Sequence, residues 1–336
     1  MSARESEHAQ RERALRLHEP ALSQGLNDHL RQLRKSLGPR LRPGFDALAA
    51  RRRWLSKTPG HYTRPDSQPV VLLALLVAES LAERGVALPE SAVLAALEAG
   101  LVGYGAVRVH DDWIDEGVGS EDPAATALLA DALFSFHHAA LARASAGAPE
   151  PVHTEFWALT ARTWAEYGEA MLLERELLRG PAAGADPYDA AAFARVLLRS
   201  RPLILPAAAL LARADRLELL NPLRELAHAS TEAAQLLDDA VDVLVDFDAG
   251  RMNYLVQRGG GLGGRDALLL TWALGGFAEA LDDVRRALAV AEEAAERLGI
   301  GRSFAPFLAA RRATLNQLVE RPGPARGEGL PGPERP

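Results

Sequence analysis

The chain has 336 residues, a formal net charge of −7 and no cysteine. That length suits one large domain or two smaller ones, the acidic balance argues against a nucleic-acid partner, and the lack of cysteine excludes disulfides and thiol chemistry. Lysine occurs only at Lys35 and Lys57, so arginine must do any phosphate binding. No uninterrupted apolar run reaches the roughly 18–20 residues of a transmembrane segment. The charged N-terminus lacks the apolar core of a signal peptide, which makes a cytoplasmic location the default.

Residues 1–20 read as a charged extension, with arginines and acids alternating. Helical patterning runs from Ala21 to Trp54, broken at Gly38-Pro39 and Pro43-Gly44, and Lys57–Gln68 is turn-forming around Pro59-Gly60 and Pro65. Pro69 opens an apolar helix that Gly85 closes, the expected asymmetry of proline first and glycine last. Pro89–Val109 is the next helix, Asp122-Pro123 starts another, and residues 151–179 form a long one that ends in the Gly180–Pro187 loop. The helix begun at Asp186 meets Pro202 and Pro206 and should kink or restart there. Asn221-Pro222 opens a helix that runs past Asp246. Beyond the Gly259–Gly264 loop come Asp266–Leu298, with a break expected at Gly275-Gly276, and Phe304–Leu318. The tail 321–336 is rich in proline and glycine and is expected to be disordered. No stretch shows the period-two alternation of a strand. The expectation is an all-α protein, a single domain of about ten helices over 21–320.

Within the helix leading to Asn253, the apolar Leu236, Leu237, Val241, Leu244 and Val245 recur at helical spacing around Asp238, Asp239 and Asp242, with Asp246 one turn on. Asp238, Asp242 and Asp246 share a helix face. Like charges at that spacing weaken a helix, and carboxylates bordered by apolar residues are costly to leave unpaired. A divalent cation would remove both penalties, since hard ions such as Mg2+ take carboxylate oxygens. One such stripe is as well explained by a solvated acidic face. It has a twin, however: His110–Glu116 reads HDDWIDE, with Asp111, Asp112 and Asp115 in the same DDxxD spacing behind another apolar helical run.

This pair of motifs resembles the trans-isoprenyl diphosphate synthase (polyprenyl synthetase) family and its class I terpene synthase relatives. The resemblance implies a helical bundle around a central cavity, in which the two acidic helices face each other and hold three Mg2+ ions against the diphosphate of an allylic prenyl substrate. It makes Asp111, Asp115, Asp238 and Asp242 the metal ligands, supported by Asp112 and Asp239. Arg201, with Arg199 nearby, stands where the family has a diphosphate-contacting lysine, and Gly250-Arg251 stands where it has Gly-Lys. Arginine keeps the charge and adds a planar fork suited to phosphate. Asp131 resembles the family's Gly-Asp step. The family also commonly forms homodimers.

The departures concern the second substrate. Where the family binds isopentenyl diphosphate through Gly-Gly-Lys-Arg, this chain reads TRPDSQP, leaving Arg64, and GPRLRP at 38–43 sits too early to replace it. Arg-Arg-Gly after the first motif is replaced by Gly117-Val118-Gly119. Both changes remove cations, so the first reading is a terpene synthase that cyclises or quenches the cation of one allylic diphosphate. The alternative is a prenyltransferase that condenses an allylic diphosphate with isopentenyl diphosphate. A third reading is a non-catalytic subunit of a prenyl synthase, against which both acidic motifs are complete. Gly103, Ala106 and Val107, just before the first motif, hint at a deep pocket for a long prenyl chain, or else let helices pack closely.

Other clusters read as structural. Glu166, Glu169 and Glu174 suit a solvated face, with Glu169 facing the cavity as the alternative; Glu292, Glu293 and Glu296 suit the surface, as do Arg311-Arg312, for which contact with the diphosphate is the alternative. Trp157 and Trp164 suit the core. Gly259–Gly264 fits GxGxxG but lacks any βαβ context.

Overall fold

The structure is a computed structural model that describes residues 21–55, 62, 69–115, 122–178, 188–251, 253–259 and 263–320. The expectations for the N-terminal extension, the tail, Arg64 and Gly117–Gly119 fall outside the described residues. Among those residues every regular element is a helix. In order they are α1 (21–36), α2 (Arg42–Arg51), α3 (Pro69–Glu83), α4 (Glu90–Asp115), α5 (Pro123–Ser145), α6 (Glu150–Leu178) and α7 (Ala190–Val196). There follow α8 (Leu205–Arg213), α9 (Leu220–Ala249), α10 (Tyr254–Arg258), α11 (Arg265–Thr271), α12 (Phe277–Leu298) and α13 (Gly301–Val319).

The helix ends obey local chemistry. Asp122 caps α5 by accepting from the Ala125 N–H, with Pro123 in the first turn, and Asp189 caps α7 through Ala192. The proline break arrives as expected: the chain tightens into a 3-10 stretch over Leu197–Ile204 around Pro202, and α8 restarts with Pro206 in its first turn. Gly250 ends α9 at φ 63°, a left-handed conformation that costs glycine nothing. The break at Gly275-Gly276 is a π turn, Trp272–Gly276, in which Gly275 takes φ 114°.

The described chain gathers into two compact units, each assembled from separate stretches of sequence. In the first, α4 packs along α5, and α8 packs on α3, α4 and α5. Leu205 to Ala212 of α8 are all buried, the signature of a helix that is apolar all round and surrounded by others. Gly103 of α4 permits close approach to α5, because a Cβ there would lie 2.4 Å from the His137 ring. In the second unit α9 packs on α12, with α10 and α13 also against α9. The α12 stripe Leu281, Val284, Leu288, Ala291, Ala295, Leu298 is buried at three- and four-residue spacing. Each fully buried leucine there contributes roughly 1.5–3 kcal/mol.

Two helical segments, Glu90–Asp112 and Pro123–Ser145, are long and apolar enough to cross a membrane by length and composition. Both pass only on average, since alanine-rich turns keep mean hydropathy high across scattered polar residues, and neither contains a long unbroken apolar run. The first of these is mostly buried inside the protein, as a core helix is.

Candidate functional site

The first acidic motif closes α4. Asp111 and Asp112 are half-buried, and the side chain of Asp115 lies outside the described residues. Three arginines gather here. Arg108, one turn earlier, pairs with Asp111 and reaches Asp112 at 3.5 Å. Arg51, from the end of α2, donates to Asp112 at 2.7 Å. Arg52 lies over the Tyr104 ring at 5.5 Å from its centroid, and burial lowers its pKa. The turn that delivers these two arginines holds Arg53 and Leu55 at φ 54° and 61°, unusual for residues with side chains. It is anchored by Trp54, buried against Gly105, where a Cβ would meet the indole at 2.5 Å.

Behind the motif, the His110 ring lies 5.2 Å from Phe134, and burial lowers its pKa. Two turns back, His137 is fully buried and donates from Nδ1 to the Ala99 carbonyl at 2.9 Å; burial pushes its pKa down to about 4. Gly103 therefore faces a histidine of α5. Ala106 is fully buried and Val107 half-buried.

The second motif lies on α9. Asp238 is exposed, Asp242 and Asp246 are half-buried, and Asp239 is buried. Both oxygens of Asp239 are taken inside the protein: one accepts from Gln235 Nε2 at 2.8 Å, the other from the Tyr254 N–H at 3.0 Å. Burial, with the charges of Asp238 and Asp246 adding to it, raises its pKa to about 7 against those hydrogen bonds. Asn253 fastens the turn after Gly250. Its Nδ2 donates to the Asp239 carbonyl at 2.9 Å and to the Asp246 carboxylate at 3.0 Å, while its Oδ1 accepts from the Leu255 and Val256 N–H groups at the start of α10.

Arg199 extends this network, pairing with buried Glu174 and donating to Gln235 at 2.8 Å. Tyr188, Phe193 and Tyr254 form an aromatic group beside it, with Phe193 stacked on Tyr254 at 4.3 Å. Arg201 pairs with Glu166, and exposed Arg251 comes within 3.9 Å of Asp246. Of the glutamates expected on a solvated face, only Glu169 is fully exposed; Glu166 is half-buried and Glu174 buried, and both are ion-paired. Glu292, Glu293 and Glu296 are on the surface, where Glu292 pairs with Arg312. Arg311 departs from expectation: it is half-buried over Phe307, within reach of the Asp238 charge.

Among the described residues no three acidic or histidine side chains converge to hold a metal ion. The donor set still suits Mg2+, which is commonly bound by one or two carboxylates together with substrate phosphate oxygens and water. Asp111 and Asp112 on α4 and Asp238 and Asp242 on α9 supply such pairs, whereas Asp239 is turned to the interior. Arg108 was legible as a neighbour of Asp111 at helical spacing; no local signal announces Arg51, Arg52 or Arg199.

No protein-family model and no curated protein sequence matches the chain. Solved structures do. A geranylgeranyl pyrophosphate synthetase from the archaeon Geoglobus acetivorans superposes with a TM-score of 0.64 at 16% identity, over 90% of this chain and 100% of that one. A decaprenyl diphosphate synthase from Rhodobacter capsulatus gives 0.62 at 15% identity, over 92% and 98%. A geranyltransferase from Legionella pneumophila gives 0.60 at 14%, over 92% and 98%. At such identity the shared property is architecture: the chain has the all-α fold of the trans-isoprenyl diphosphate synthases.

Proposed function

We propose that this protein is a Mg2+-dependent prenyltransferase that condenses an allylic prenyl diphosphate with isopentenyl diphosphate. The observation that carries the reading is the gathering of Arg51, Arg52 and Arg108 at the first acidic motif. The terpene synthase reading rested on cations missing from their usual places in the sequence. Arg51 and Arg52, at and just past the end of α2, and Arg108 of α4 support a seat for a second diphosphate, which favours the two-substrate reading. The similar structures are likewise prenyl diphosphate synthases and a geranyltransferase, not cyclases.

In the proposed chemistry, the allylic C–O bond breaks, the diphosphate departs with the bonding pair, the isopentenyl double bond attacks the cation, and a proton is lost. Mg2+, when bound, neutralises charge on the departing diphosphate. Asp111, Asp112 and Asp115 would hold it at the first motif, and Asp238 and Asp242 at the second. Arg201 and Arg251 orient the diphosphate, and Arg51, Arg52 and Arg108 give the second diphosphate a cationic seat. Asp239, through Gln235, Tyr254 and Asn253, sets the pitch of the second motif. A homodimer is part of the same proposal.

The test is incorporation of labelled isopentenyl diphosphate into extractable product with a geranyl, farnesyl or geranylgeranyl primer. The account expects Mg2+-dependent incorporation that EDTA abolishes. No incorporation by folded protein with any primer would overturn it.

A further inference from the structure

The carboxylates of the first acidic motif stand at the C-terminal end of α4, where the helix dipole disfavours negative charge. Two guanidiniums answer them. Arg51 donates to Asp112 Oδ2 at 2.7 Å, and Arg108 pairs with Asp111 Oδ2 and reaches Asp112 Oδ1 at 3.5 Å. Three of the four oxygens of Asp111 and Asp112 therefore have an arginine against them. The two side chains are only 14% and 20% exposed, so these contacts are screened less than those of a solvated pair. Helix stability alone does not call for the arrangement: within a helix an acid preceding a base is the better order, and Arg108 precedes both acids.

We propose that Arg51 and Arg108 mask the first acidic motif: they hold its carboxylates in the metal-free protein, and a divalent cation must displace them to bind. The inference rests on the proposed function above, which makes these aspartates metal ligands. A carboxylate oxygen that ligates Mg2+ lies about 2.0–2.1 Å from the ion, so a guanidinium still bonded to that oxygen would face a second positive centre across one atom. Two carboxylates matched by two arginines also leave no net charge to draw a cation in. The arginines differ in how they give way. Arg51 is 53% exposed at the end of α2 and turns readily into solvent, whereas Arg108 is 32% exposed, one turn from Asp111 on the same helix, and stays close to it. Arg108 is therefore the stronger part of the mask. The effect is a threshold in metal concentration, set by the protein's own cations, below which the motif stays closed.

The test is Mn2+ binding to the full chain without diphosphate, read by electron paramagnetic resonance as loss of the free-ion signal, with folding checked by circular dichroism. Arg108→Gln should tighten binding about threefold or more, and the more exposed Arg51→Gln about twofold. Arg108→Lys keeps the charge and should stay closer to the unaltered chain. In an Asp112→Asn chain, Arg51→Gln should bring no gain, which assigns the effect to this motif. Arg53→Gln removes the same charge from an exposed arginine that pairs with neither aspartate, and should leave binding unchanged. Equal affinity in the unaltered chain, Arg51→Gln and Arg108→Gln would overturn the inference. So would an equal gain in Arg53→Gln, which marks a general charge effect, or the absence of Mn2+ binding in every variant. Should Arg108→Gln fail to fold, Arg51→Gln decides alone. The incorporation assay judges the proposed function separately, so that function can stand where this inference falls.

Discussion

Asn253 is the most informative single residue to remove. It is almost fully buried, and its amide makes four hydrogen bonds: two that start α10 and two that tie the turn back to Asp239 and Asp246 on α9. Asn253→Ala removes a helix cap, worth about 1 kcal/mol. It also removes a donor to the partly buried Asp246 carboxylate, worth about 1.5–3 kcal/mol. The Asp239 carbonyl loses a partner as well. Relaxation and water recover some of this, so the net cost should be about 3 kcal/mol. Asn253→Asp separates the parts. Its carboxylate keeps the cap but cannot donate and sits against Asp246, so the cost should remain near the second figure at neutral pH and shrink as the pH falls and one carboxylate protonates. Urea unfolding followed by circular dichroism and tryptophan fluorescence measures both variants. A loss below about 0.5 kcal/mol for Asn253→Ala, the range of ordinary surface substitutions, would refute the role assigned to this turn.

Further outcomes can be stated. Gly103→Ala should destabilise the first unit by about 1–3 kcal/mol, read as a lowered melting temperature, because its Cβ must displace a fully buried His137. His137 is held neutral with a pKa near 4, against about 6.5 when unfolded, so the unfolded state takes up its proton first. Its contribution to stability is therefore intact above about pH 6.5 and erodes as the pH falls towards 4, and this part of the pH dependence should be lost in His137→Gln. Glu79 has the opposite sign: burial raises its pKa to about 7, so its carboxylate penalises the fold as the pH rises from about 4.5 to 7, and Glu79→Gln should stabilise the protein at pH 8 in thermal melts. Asp111→Ala and Asp238→Ala should each lower turnover by about 10²–10³-fold with the fold retained, as loss of a charge-stabilising group does elsewhere. Equal turnover in either variant would remove that aspartate from the proposed site.

Most of the fold was legible because helices announce themselves locally. Pro69, Asp122-Pro123 and Pro206 punctuate the chain where the structure starts or restarts a helix. Each acidic motif falls on a helix, as its spacing led one to expect. What tertiary contact decides was not. Arg51 and Arg52 are distant in sequence from Asp112, and only the packing of α2 brings them to the end of α4. Counting cations at fixed sequence positions therefore missed Arg51, which reaches Asp112 only through the fold. Asp238 and Asp239 look alike as letters, yet the start of α10 draws Asp239 inward and leaves Asp238 in solvent. Arg311 and Arg312 are adjacent and differ only in helix face, and the identity of the facing helix is information the sequence does not print.

The most direct test of the central claim is mass spectrometry of products formed from farnesyl diphosphate and Mg2+, with and without isopentenyl diphosphate. The account predicts a prenyl diphosphate at least one isoprene unit longer, made only when isopentenyl diphosphate is present. A hydrocarbon or alcohol released from farnesyl diphosphate alone would contradict it, and would mean that the arginines at the first acidic motif do not serve a second diphosphate.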